Sequence, residues 1–163
     1  QDARLQAEIM TAAALCGNNQ GLVKMYQPVL MKPAENCGKP KVTKETFNSA
    51  VIDANQAPGM LAAVTAADLA ISKLRGTPDS AISIVTTHNS STSSGQLAFY
   101  VDRMARQGFV GIALCNSPEF VAAAAGAKPV FGTNPMAISL PVHGSDNPFT
   151  VRNAQYRGRW CKT

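Results

Sequence analysis

Apolar residues at Leu5, Ile9, Ala12, Ala13 and Leu15 recur at helical spacing, and Gly17 stands where a left-handed residue closes a helix. The spacing predicts a helix over 2–16. Leu22 to Tyr26 supplies a further turn or two ending near Pro28, and the polar, Pro- and Gly-containing stretch Lys32 to Lys41 reads as a loop. From Thr46 to Ala54 the period shortens around Phe47, Ala50, Val51 and Ile52, which predicts a strand. Pro58 to Leu74 returns to the helical period, with Leu61, Val64, Ile71 and Leu74 on one stripe and Gly76 and Pro78 as its stop. Ala81 to Thr87 alternates and is rich in β-branched residues, so it predicts a second strand. A polar run, Asn89 to Gly95, then leads into Leu97, Tyr100, Val101 and Met104 at i, i+3, i+4 and i+7, with Gly108 at the expected close. Phe109 to Cys115 and Met136 to Leu140 read as strands, separated by the turns Asn116-Ser117-Pro118 and Gly132-Thr133-Asn134-Pro135 and by an Ala-rich stretch, 121–127, that the pattern leaves open. Strand, helix and strand in succession imply an α/β fold with at least one crossover connection.

The 163 residues match one ordinary domain, enough to bury roughly two thirds of the unfolded surface. Hydrophobic residues make up 45% and charged residues 15%, and no apolar run approaches the ~20 residues that cross a bilayer, so the reading is a soluble chain without a membrane partner. The net charge of +5 would suggest nucleic acid, but Arg152, Arg157, Arg159 and Lys162 lie in the last thirteen residues, which hold no acid. Removing those four from +5 leaves +1 for residues 1–150, and no nucleic-acid partner is expected. The opening Gln-Asp-Ala-Arg-Leu has neither an initiator Met nor the charged and apolar regions of a signal peptide, which suggests a missing start. Cys16, Cys37, Cys115 and Cys161 are widely spaced, without a metal knuckle, and read as reduced thiols in a cytoplasmic protein.

Candidate chemistry gathers at few places. The run Ser90 to Gly95 lies between a strand and a helix, where free N–H groups and the helix dipole suit a phosphate or carboxylate. Alternatively, its hydroxyls cap the helix that follows. Neither GxGxxG nor GxxxxGK[ST] occurs, so a nucleotide would need another mode of binding. His88 closes the strand 81–87, either beside a ligand site at the sheet's carboxyl edge or simply in solvent, whereas His143 lies in a polar surface loop. Gly17-Asn18-Asn19-Gln20-Gly21, with Lys24 beyond it, joins the first two helices and could be only a turn. The six methionines are scattered and read as core filler.

Several of these segments in fixed order carry a resemblance. Asp53-Ala54-Asn55-Gln56-Ala57-Pro58-Gly59-Met60, the Gly95 helix with Phe99-Tyr100-Val101, Gly108-Phe109-Val110-Gly111-Ile112-Ala113, Asn116-Ser117-Pro118 and Phe131-Gly132-Thr133-Asn134-Pro135-Met136-Ala137-Ile138 resemble the malate/L-lactate dehydrogenase family of the second type, which includes ureidoglycolate, sulfolactate and diketogulonate-type enzymes. The likeness spans about residues 5–150. It implies an α/β, non-Rossmann NAD(P)-dependent dehydrogenase fold, here incomplete, with an N-terminal helical segment (1–41), a cofactor- and substrate-binding portion (42–150) and a divergent basic tail (151–163). It further implies NAD or NADP as cofactor, a small 2-oxo or 2-hydroxy acid of malate or lactate type as substrate, and a homodimer.

By that resemblance Gln20 occupies the place of a proton-donating His, and Lys24 the basic position that receives the substrate carboxylate. Glutamine donates hydrogen bonds but does not exchange a proton near neutral pH. Ser93 stands where many members have a second His, so the catalytic candidates are Gln20, Ser93 and His88. Thr133 joins Lys24 at the substrate carboxylate, and Ser117 and Asn134 face the cofactor. No metal site is implied. After Val151 the family's Asp-Met-Ala-Thr-Ser-like segment is replaced by Arg152 to Thr163, which suggests a frameshift, an aberrant splice or an incomplete sequence; the rival reading is a catalytically inactive fragment or a non-catalytic binding protein on the same fold.

Overall fold

The computed structural model describes residues 2–18, 34–77 and 79–153. The helical turns expected at Leu22 to Tyr26, the candidates Gln20 and Lys24, and the tail beyond residue 153, with Cys161, lie outside the described residues. Helix α1 (Asp2–Leu15) has Asp2 in its first turn, favourable for the helix dipole, and ends with Gly17 at φ 66°. Ile9, Met10 and Ala13 turn inward. Leu15, placed on the same stripe by spacing, lies in the last turn and is 84% exposed.

Strands β1 (Lys41–Glu45) and β2 (Ser49–Asp53) form an antiparallel hairpin. The strand expected at 46–54 is therefore shorter: Thr46 to Asn48 make the turn, pinned by the Ser49 N–H donating to Thr46 Oγ1 at 3.0 Å, and Phe47 is exposed at its tip. The pattern missed β1 because only Val42 in it is apolar and all five residues are exposed; pairing with β2, rather than burial, makes it a strand. Helix α2 (Gly59–Gly76) crosses from β2 to β3 (Ile84–His88), which pairs parallel to β2. Met60, Val64, Ala67 and Ile71 form its buried stripe, while Leu61 and Leu74 are only half-buried. Residues 81–83 of the expected second strand lie outside the pairing.

Helix α3 (Ala98–Ala105) follows, and Gly108 ends the segment at φ 87°. It covers an antiparallel sheet, ordered β4-β7-β8, made of β4 (Gly111–Leu114), β7 (Met136–Leu140) and β8 (Phe149–Asn153). Small residues permit the close contact: a Cβ on Gly111 would lie 2.8 Å from the Val101 carbonyl, and Ala137 and Ser139 are buried beneath the helix. Ser139 donates to Asp102 Oδ1 at 3.1 Å and shares a 2.9 Å hydrogen bond with Thr150, tying α3 to both β7 and β8. The undecided stretch 121–127 resolves into β5 (Val121–Ala122) and a turn, paired with β6 (Pro129–Phe131). One core, built on Ile9, Met10, Met60, Val64, Leu97, Tyr100, Val101 and Ala137, joins α1, α2, α3 and β7. Among the described residues no helix is long and apolar enough to cross a membrane.

Candidate functional site

The parallel strands β2 and β3 end side by side at Asp53 and His88, at the carboxyl edge where α/β folds commonly hold ligands. His88 is exposed. The Asp53 carboxylate accepts from the Asn55 N–H and from Asn89 Nδ2, both at 2.8 Å. These two donors, the backbone one foremost, together with the neighbouring His88 charge, hold its carboxyl below the ordinary value. Asn55, Gln56 and Asn89 all have positive φ, so the turns leaving both strands are fixed in left-handed conformations. His88 thus faces an Asp–Asn cluster at the strand ends.

The polar run that follows is tethered along its length. Ser91 N–H donates to the Ala57 carbonyl, Gly59 N–H donates to Thr92 Oγ1 at 3.1 Å, and Gly95 N–H donates to Ser93 Oγ at 3.1 Å. The expected capping of the following helix does not occur, since Leu97 precedes α3 without a side-chain cap. Thr92 instead serves the first turn of α2. Gly59 makes this possible: a Cβ there would lie 2.4 Å from the Thr92 carbonyl, so only a glycine lets the loop backbone lie against the helix end. Beneath the loop, the buried Tyr100 hydroxyl donates to the Ser94 carbonyl; burial raises its pKa far above the ordinary range. Ser91 Oγ and Gln96 Nε2 are buried here without a hydrogen-bond partner.

Ser117, Thr133 and Asn134 come together as a second group. Ser117 Oγ accepts the Thr133 N–H at 2.7 Å and shares a 2.9 Å hydrogen bond with Thr133 Oγ1. Gly132 allows this approach, because a Cβ would lie 2.4 Å from the Ser117 carbonyl and 2.8 Å from Asn134 Oδ1. Asn134 adopts φ 39°, which turns the chain into β7. Cys115 lies between the two groups: its thiol accepts from Ser94 Oγ at 3.8 Å, and its N–H donates to the Pro135 carbonyl at 3.3 Å.

Ser93, Ser94, Cys115, Ser117, Thr133 and Asn134 thus make a row of uncharged donors and acceptors, able to orient a carboxylate, amide or hydroxyl. The structure joins Ser117 and Thr133 directly, with Asn134 beside them at the Gly132 turn, and links this group through Cys115 to the Ser93 loop, whereas His88 lies with Asp53 at the strand ends. No group of three or more metal-ligating side chains occurs among the described residues. Sequence reading named Thr92 and Ser94 only as part of the run Ser90 to Gly95, and passed over Tyr100 and Cys115 as site residues. Tyr100 carried a core signal only, and nothing in the linear pattern connects residue 94 with 115.

Residues 1–154 match the model of the malate/L-lactate dehydrogenase family. The chain belongs to that family. It is 31% identical over 145 residues to the malate/(S)-sulfolactate dehydrogenase of Methanothermus fervidus, covering 86% of this chain and 42% of that protein. It is 32% identical over 98 residues to the ureidoglycolate dehydrogenase (NAD(+)) of Escherichia coli, covering 60% of this chain and 27% of that one. The solved structure of malate dehydrogenase from Pyrococcus horikoshii superposes with a TM-score of 0.81 at 29% identity, over 94% of this chain and 43% of that chain. This chain therefore spans less than half the length of these relatives.

Proposed function

We propose that this chain is the part of an NAD- or NADP-dependent oxidoreductase that orients a small 2-hydroxy or 2-oxo acid, malate- or lactate-like, for hydride exchange. The Ser117–Thr133–Asn134 group carries this reading, because, of three residues assigned by resemblance to the cofactor and substrate carboxylate, Ser117 and Thr133 are hydrogen-bonded to each other and Asn134 lies beside them at the same turn. The names of the relatives agree with it, and one includes NAD(+).

The cluster suits the uncharged parts of such a cofactor: Ser117 and Thr133 offer hydroxyls, Asn134 an amide, and Gly132 lets these groups close up on one another. A bound nicotinamide supplies the hydride donor or acceptor. In this reading Lys24 and Thr133 hold the substrate carboxylate, and Ser117 and Asn134 position the cofactor. Proton transfer falls to the group near Gln20, Ser93 or His88, through water where the side chain itself does not ionise. The fold would hold the dinucleotide without a Rossmann motif, and the working unit would be a cytoplasmic homodimer.

NADH and NADPH titrations of the folded chain, followed by oxidation assays with oxaloacetate and pyruvate, test the proposal. The expected result is saturable binding of at least one nucleotide, with Lys24→Ala raising KM for the oxo acid more than it lowers kcat. Failure to bind either nucleotide overturns it in favour of a non-catalytic member of the family. That second reading draws support from the hydrogen-bond partners of Ser117 and Thr133, which among the described residues include no imidazole.

A further inference from the structure

The two halves of the candidate site come from distant parts of the chain, and one residue is bonded to both. Cys115 reaches back to Ser94 with its thiol and across to Pro135, the residue after Asn134, with its N–H. Ser94 is held independently from below by Tyr100, a fully buried core residue, and its neighbours Thr92 and Ser93 are each engaged with a backbone N–H. The Ser/Thr-rich segment is therefore anchored at consecutive residues, and its lateral position is set against the end of β4 by a hydroxyl–thiol contact.

We infer that Cys115 and Ser94 are positioning residues, which set the separation between the Ser93 loop and the Thr133–Asn134 turn. The inference rests on the proposed reading of those two segments as one site. A half-buried thiol is an apt link, since it packs as a small apolar group at the end of β4 while remaining a weak hydrogen-bond acceptor. Removing it leaves the backbone bond to Pro135 in place and releases only the loop side, so looser loop packing would reach the turn through the strand end they share.

Amide hydrogen exchange on the full chain gives a direct test. Cys115→Ala and Ser94→Ala are each expected to accelerate exchange roughly three- to tenfold in peptides containing Gly95 and Thr133, with exchange in α1 and α2 unchanged. Cys115→Ser, which keeps a hydrogen-bonding group, is expected to recover part of that protection. A Ser94→Cys variant provides a second measure that does not depend on tolerance of the truncations. Mild oxidation is expected to link its new thiol to Cys115, identified by peptide mapping against Cys16, Cys37 and Cys161, and to slow exchange on both sides. Unchanged exchange at both peptides, or acceleration spread evenly over the chain, overturns the inference. A parallel NADH titration separates the two ideas: a wild-type chain that binds no nucleotide defeats the functional reading, whereas coupled exchange without binding still establishes the Cys115 link.

Discussion

Gly59 shows how much a single position carries. It begins α2, donates its N–H to Thr92 and leaves room for the loop backbone, so any side chain there forces apart the helix and the segment bearing Ser93. Gly59→Ala is expected to cost about 1–3 kcal/mol by overpacking, seen as a fall in Tm of about 3–8 °C in thermal unfolding. Asp53 makes a different kind of prediction. Its native pKa lies below the ordinary 3.8, so it contributes stability that is fully present above 3.8 and is lost as pH falls through the lower native value. Asp53→Asn is therefore expected to lower stability above pH 3.8 and to flatten the acid limb, its curve converging on that of the wild type as pH falls below the native value, as urea titrations across that range would show.

At the scale of elements, the helices meet through the core around Met10, Met60, Val64 and Tyr100 and, among the described residues, through an ion pair. Arg103 of α3 makes a two-pronged contact with Asp68 of α2, at 2.6 and 3.0 Å, with both side chains about half exposed. Solvent screens such a pair, so Arg103→Ala is expected to cost about 0.5–1 kcal/mol at low salt, and the difference from wild type should shrink in 1 M NaCl. The helices α1, α2 and α3 were legible because each repeats its apolar residues at the helical period and ends at or near a glycine. Strand β1 was not, since nothing in Lys-Val-Thr-Lys-Glu signals a strand until β2 is beside it. Thr92 deceived for a related reason: a hydroxyl before a helix is ordinarily that helix's cap, but a glycine thirty-three residues earlier offered the nearer N–H.

Across the molecule, the two faces of the β4-β7-β8 sheet differ sharply. One face, with Gly111, Ala137 and Ser139, lies under α3; the other carries Ile112, Leu114, Met136, Leu140, Phe149 and Val151, each 40–69% exposed. An apolar face of this extent exceeds what scattered surface residues produce and is an association hazard for the chain by itself. Leu114→Lys is expected to reduce dye binding by anilinonaphthalene sulfonate and concentration-dependent light scattering, with a stability change within about 0.5 kcal/mol because the side chain is already 69% exposed. An unchanged dye signal would show that this face is covered in solution.

Periodicity and turn chemistry were enough to place the α/β order, the β2–α2–β3 crossover and the turns that carry Ser117, Thr133 and Asn134, because these depend on neighbours within a few residues. The ordered motifs also pointed to the malate/L-lactate dehydrogenase family, and the match over residues 1–154 bears that out. The pairing of Ser117 with Thr133, the tether from Tyr100 to Ser94, the bridge at Cys115 and the bond from Asn89 to Asp53 arise from contacts between residues 6 to 36 positions apart, whose partners are chosen by packing and leave no period in the chain.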